Sequence, residues 1–253
     1  MGVEFEQRNV SAAGFRLARR VCPAILLAVA FSWSALSRPV FAELGAGNRP
    51  ASPTAKTTAR DAFPPELTVR VYNYAHIDSG LLSRSEDVAT AIFEDVGVRV
   101  TWLDCPLSPE LLGAYPACQS HAGAADLALR ILPRNMAGKL AMPDEPLGFA
   151  YPCPEDEPAC VLNIFYYRVD ELAADGYRAD RLLAYAIAHE VAHALIGPGH
   201  SEEGIMRGQW SSRDLERICW GLPPHFTGNQ PAALRSAVLR RMKLVQRFAE
   251  GGG

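Results

Sequence analysis

His189, Glu190 and His193 stand in the spacing H-E-x-x-H, well inside a chain of 253 residues. On a helix, residues four apart lie one above the other, so the two imidazoles point at one spot with the carboxylate of Glu190 beside them. Imidazole is a strong ligand for zinc. This spacing serves metal-assisted hydrolysis, with the glutamate taking a proton from water. A third imidazole, His200, follows Gly197 and the Pro198-Gly199 turn, which ends the helix and returns the chain. Three protein ligands leave a fourth tetrahedral position for water, which is the catalytic arrangement and not the closed structural one.

The same spacing arises by chance on exposed helices, where it means nothing. Here it lies between Leu182-Leu183-Ala184-Tyr185-Ala186-Ile187-Ala188 and Ala194-Leu195-Ile196. A stretch apolar nearly all round is a buried helix. Two histidines and a carboxylate inside such a helix are costly unless something pairs them, and a metal ion does so.

The segment from about Asp180 to Trp210 resembles the metzincin metalloproteases, whose pattern is H-E-x-x-H-x-x-G-x-x-H followed by a methionine-containing turn. It is similar above all to matrixin-like secreted bacterial members, with Ser201 after the third histidine and Gly204-Ile205-Met206 soon afterwards. Gly197 and His200 each fall one position later than in that pattern, and a longer exit from the helix absorbs the extra residue. The resemblance implies that His189, His193 and His200 bind Zn2+, that Glu190 is the general base and that Met206 supports the site from below. It further implies a secreted zinc endopeptidase acting on a peptide or protein through a zinc-activated water. An edge strand upstream of the helix then pairs with the substrate backbone, either Val161–Tyr167 or Phe149–Tyr151.

Two other readings stay open. Glu216 can stand as third ligand with His200 merely nearby, or the chain can be a non-enzymatic exported zinc-binding module. Glu190 argues against the module, because a structural site needs no base beside its ligands. His76, His121 and His225 lack ligand spacing with one another and read as ordinary surface or core histidines. Glu202 and Glu203 read as solvated loop charges. Tyr151, Tyr166 and Tyr167 are each able to supply an oxyanion donor, and their spacing selects none.

Arg16, Arg19 and Arg20 precede an apolar run, Val21 to Leu36, and Val40-Phe41-Ala42 offers a small-residue cleavage site. Residues 1–42 therefore read as a signal peptide of a secreted or periplasmic protein, the run being short for a full membrane span. They hold five Arg and two Glu, a net of +3, so the remainder stands at −6 against −3 for the whole chain. An acidic protein with no Lys/Arg cluster is a poor nucleic-acid binder. Residues 43–62, rich in Ala, Thr, Ser, Pro and Gly, read as a flexible linker. Residues 63–250 suffice for one domain with a real core.

Cys22 leaves with the signal peptide, and export permits disulfides among the other five cysteines. Cys105 and Cys118 bracket one Pro-containing loop, and Cys153 and Cys160 another; local pairing of each is expected, with Cys219 left as a buried thiol. With no C-x-x-C pair, a cysteine zinc ribbon fits the sequence poorly.

The elements that must carry the site follow from periodicity. Leu67–Asn73 and Val98–Leu103 alternate as strands, and Ser83–Val96 between them has helical spacing, capped by Ser83 or Ser85 and stopped by Gly97. This β-α-β opening predicts a parallel pair. Asp126–Leu132 and Val161–Val169 supply further strands. Asp180 is the expected N-cap of the histidine helix, and Gly197 its stop. Helices over Asp214–Trp220, capped by Ser211 or Ser212, and from Asn229 or Gln230 to about Phe248 complete an α+β, zincin-like fold: a small mixed sheet, the H-E-x-x-H helix and C-terminal helices.

Overall fold

The computed structural model describes residues 64–251 except 121–122, 124, 141–145 and 155–159. The expected signal peptide, linker and His121 lie outside the described residues. Five strands, β1 (Glu66–Asn73), β2 (Arg99–Asp104), β3 (Asp126–Leu132), β4 (Gly148–Ala150) and β5 (Cys160–Phe165), form one sheet in the order β2-β1-β3-β5-β4. The first four in that order run parallel, and β4 runs antiparallel to β5 at the edge. Helices are α1 (Ser79–Asp95), the single turns α2 (Pro116–Gln119) and α3 (Arg134–Ala137), then α4 (Tyr166–Ala174), α5 (Ala179–Ile196), α6 (Ser212–Trp220) and α7 (Gln230–Gly251). The α+β architecture and the parallel β1–β2 pair agree with the sequence expectation.

Alternation puts Leu67, Val69 and Val71 of β1 on one face, in register with Leu127 and Leu129 of β3. The latter pair in turn with Cys160 and Leu162 of β5, and Ile131 with Ile164. Helices α1 and α5 share the core that this apolar face builds. Arg70 points the other way. It is buried, paired with Asp126 at 2.8 Å, and donates to the carbonyls of Cys118 and Ser120, which ties the Cys105–Cys118 loop to the sheet. Leu182, Leu183, Ile187 and Val191 of α5 are fully buried, each contributing roughly 1.5–3 kcal/mol. That gain offsets the cost of holding Glu190 and His193 in the same helix.

Several boundaries differ from the sequence expectation. Helix α1 begins four residues early, because Asp78 and not Ser83 or Ser85 caps it: the Asp78 carboxylate accepts from Leu81 N at 3.0 Å. Ser85 is instead buried inside the helix and donates to Leu81 O. Asp180 is not the N-cap of α5; Arg178 holds that position, and Asp180 sits in the first turn, its carboxylate gripped by the Arg178 guanidinium. An acidic side chain there still complements the helix dipole. The strand expected over Val161–Val169 stops at Phe165, and Tyr166–Ala174 turns into α4, with Val169 driven into the core. Ser211 caps α6 through a reciprocal box with Asp214, as its sequence suggests.

Candidate metal centre

Helix α5 delivers His189 and His193 one turn apart and ends at Gly197, whose φ of 98° turns the chain out of the helix. Pro198 and Gly199 then bring His200 back. The Nε2 atoms of His189 and His193 stand 2.9 Å apart, and those of His193 and His200 3.1 Å apart. The ligand atoms of all three lie within 4.8 Å of one another. The one-residue-longer exit is thus absorbed within the turn.

Backbone carbonyls orient two of the rings. Nδ1 of His189 donates to Ile205 O at 2.8 Å, and Nδ1 of His193 to Gly197 O at 3.0 Å. A carbonyl only accepts, so Nδ1 of each ring carries the proton and Nε2 is bare. Two bare lone pairs 2.9 Å apart repel unless a cation lies against both. A tetrahedral zinc with bonds near 2.0–2.1 Å spaces its nitrogens about 3.3 Å apart, close to both observed separations. The donor set therefore fits a zinc-like cation. Burial pushes His189 down to about 4, against the pull of the Ile205 carbonyl and with help from His193 and His200. His193 is likewise lowered by burial. Both stay in the neutral, metal-binding form at neutral pH.

The turn below the histidines is pinned on several sides. Met206 is fully buried and its carbonyl accepts from Ser201 N at 2.8 Å. Ile205 N donates to His225 O at 3.0 Å. At Gly204, φ is +80°, and a Cβ there would stand 2.4 Å from His225 O, so no other residue fits. Trp210 Nε1 donates to Ile205 O, the same carbonyl that holds His189.

Glu190 is nine-tenths hidden, and burial pushes its carboxyl up to about 8, the Ala150 N–H of β4 pulling the other way. A divalent cation beside it would favour the carboxylate again. A cavity of ≈ 940 Å³ opens along His189 and Glu190, walled by Leu147, Leu172, Trp210 and Leu215. Helix α4 and the packing of Trp210 at this cleft escape sequence reasoning. So do the orienting carbonyls of Ile205 and Gly197, since every residue has a carbonyl and only the fold says where it points.

The remaining expected residues fall as follows. Glu216 is exposed on α6 and outside the histidine cluster. His225 pairs with Asp95 at 3.3 Å, and His76 sits on an exposed turn with φ of 52°. Tyr151 is exposed beyond β4, and Tyr166 and Tyr167 lie on α4, the latter under the Arg134 guanidinium. Cys105 and Cys118 stand at disulfide distance, with Cα atoms 5.7 Å apart, as do Cys153 and Cys160 at 5.6 Å. Cys219 is half-buried and in neither pair. Cys153 N donates to Ala194 O at 2.9 Å, which fastens that loop to the last turn of α5.

No family model and no curated protein matches the sequence. Among solved structures, the chain is similar to metalloproteinase-II from Bacteroides fragilis, at 10% identity and a TM-score of 0.40. That match covers 71% of this chain and 55% of the other, so the chain spans about half of that structure's length. It is also similar to myroilysin at 12% identity and a TM-score of 0.30, covering 65% of this chain and 70% of that one. Likeness at this level fixes neither activity nor substrate. Among the described residues, no helix is long and apolar enough to cross a membrane.

Proposed function

We propose that this chain is an exported zinc-dependent endopeptidase of zincin-like fold, with His189, His193 and His200 as ligands and Glu190 as general base. The observation that carries the reading is the convergence of three imidazoles, two of them fixed with bare Nε2 atoms, beside a buried carboxylate on an open cleft. Bound zinc supplies Lewis-acid polarisation of a carbonyl and a water acidic enough to ionise near neutral pH.

The chain's own residues supply the rest. Ile205 and Gly197 hold the imidazoles so that the ligand geometry exists before the ion arrives. Glu190, within reach of the same point, takes a proton from the attacking water and returns it to the leaving amine. Strand β4 ends the sheet order at the Glu190 side, so an extended substrate can add along its outer edge as a further strand. Met206 keeps the floor apolar. Two cysteine pairs at disulfide distance support an oxidising, extracytoplasmic setting.

The test is cleavage of an unstructured protein or a peptide library by purified protein, with and without a chelator. Chelator-sensitive cleavage that drops by roughly a hundred- to ten-thousandfold in Glu190→Gln, with zinc retained, is the expected result. Absence of cleavage by a zinc-loaded wild type across the library overturns the peptidase reading. Equal rates in wild type and Glu190→Gln overturn the assigned base.

A further inference from the structure

Trp210 meets the histidine cluster through its polar edge as well as its ring. The indole Nε1 donates to Ile205 O at 3.3 Å, the oxygen that also accepts from His189 Nδ1 at 2.8 Å. The ring stands edge-on to His189, at 6.0 Å and 86°, and edge-on to Tyr185, one turn earlier on α5, at 6.4 Å and 77°. It also walls the cleft. A carbonyl oxygen carries two lone pairs, so two donors can hold one oxygen and fix its direction. Among the described residues, the Gly197 carbonyl that receives His193 has no second donor.

A ring that merely filled the space beside α5 would need no donor at this point. Ile205 N is tied to His225 O at 3.0 Å, but that bond holds the peptide before Ile205, whereas its carbonyl belongs to the peptide after it. A separate contact has to set the direction of that carbonyl, and the indole N–H supplies one. We infer that Trp210 is a positioning residue for His189: by holding the Ile205 carbonyl it locks the imidazole in its Nδ1–H form and keeps Nε2 bare. The purpose of this lock rests on the metal reading proposed above. Its geometry does not, since a histidine has a tautomer with or without an ion. A fixed acceptor on Nδ1–H orients a metal-binding imidazole and raises its basicity, and loss of such support costs roughly ten- to a hundredfold in metal affinity.

The test is two-bond proton–nitrogen NMR of the full chain with labelled histidine, first without metal and then with zinc, beside competition with a chromophoric chelator. In wild type, His189 and His193 should both show the Nδ1–H form. Trp210→Phe keeps an apolar ring and loses the donor. In it the metal-free His189 should become a mixture of both tautomers while His193 stays as it was, and zinc affinity should fall by roughly ten- to a hundredfold. A general loosening of the fold would disturb both rings, so His193 is the internal control. Should Trp210→Phe fail to fold, exchange of wild type into deuterated water decides. The indole N–H of Trp210 should then exchange at least about tenfold more slowly than that of the exposed Trp220. An unchanged His189 tautomer in Trp210→Phe overturns the inference, and so does a Trp210 N–H as labile as that of Trp220. A wild type that takes up no zinc overturns the metal reading alone, because the tautomer comparison stands without the ion.

Discussion

Gly148 of edge strand β4 faces the side chain of Glu190 so closely that a Cβ added there would lie 2.6 Å from Glu190 Cγ and 2.8 Å from its Oε1. The same Cβ would also stand 2.9 Å from Asn163 O, so the strand has no room to retreat. Glycine here lets the backbone of β4 lie directly against the carboxylate. Gly148→Ala should therefore keep zinc and fold while displacing Glu190, with kcat/KM for peptide cleavage falling by roughly a hundredfold. Rates equal to wild type would show that the position of Glu190 against β4 is immaterial to turnover.

The third ligand is open to a direct contrast. His200 stands 3.1 Å from His193 across their Nε2 atoms, whereas Glu216 is exposed on α6. His200→Ala should weaken zinc affinity by about a hundredfold or more, and Glu216→Ala should leave it unchanged. Competition with a chromophoric chelator reads both. The reverse pattern would move the third ligand to α6.

Cysteine connectivity is settled by peptide mapping without reduction. The expected bridges are Cys105–Cys118 and Cys153–Cys160, with Cys219 recovered as an alkylated thiol. Each closes a short loop, so each is worth roughly 2–4 kcal/mol of stability. A peptide joining Cys219 to any of the four would contradict the fold around α6.

Glu86 gives the domain a pH dependence whose sign is fixed. Burial, the charge and hydrogen bond of Asp104, and the charge of Asp87 push its carboxyl from 4.5 up to about 8. Between those values the native chain keeps a proton that the unfolded chain has lost. Stability from this group is full below pH 4.5 and drains away as pH rises towards 8. Glu86→Gln should flatten that slope and raise the denaturation midpoint at pH 8 more than at pH 5. Urea unfolding at the two pH values measures it.

The histidine cluster was legible because its spacing is that of a shared helix face followed by a break: His189 and His193 lie one turn apart, and His200 follows Gly197. The strands β1, β2 and β3 were legible because each buries one face and alternates. Helix α4 was not, because Tyr166, Tyr167 and Val169 carry strong strand preference, and only packing against α5 turns them helical. Strand β4 has three residues, too few for a period to show, so Phe149–Tyr151 stood only as one of two edge-strand candidates. The cap of α1 was missed because Asp78 lies a full turn before Leu82, the first fully buried apolar residue of that helix.

Trp210 lies against the histidine cluster, its ring 6.0 Å from that of His189 and bonded to the same carbonyl. An indole so placed senses any change in the charge of its neighbour through its emission. Loading or stripping the ion should be visible in intrinsic fluorescence without any added dye. Trp102 of β2, hydrogen-bonded to Thr90 of α1, and the exposed Trp220 serve as internal references. On the proposed metal reading, Trp210 is an optical gauge of occupancy, and Trp210→Phe should silence it.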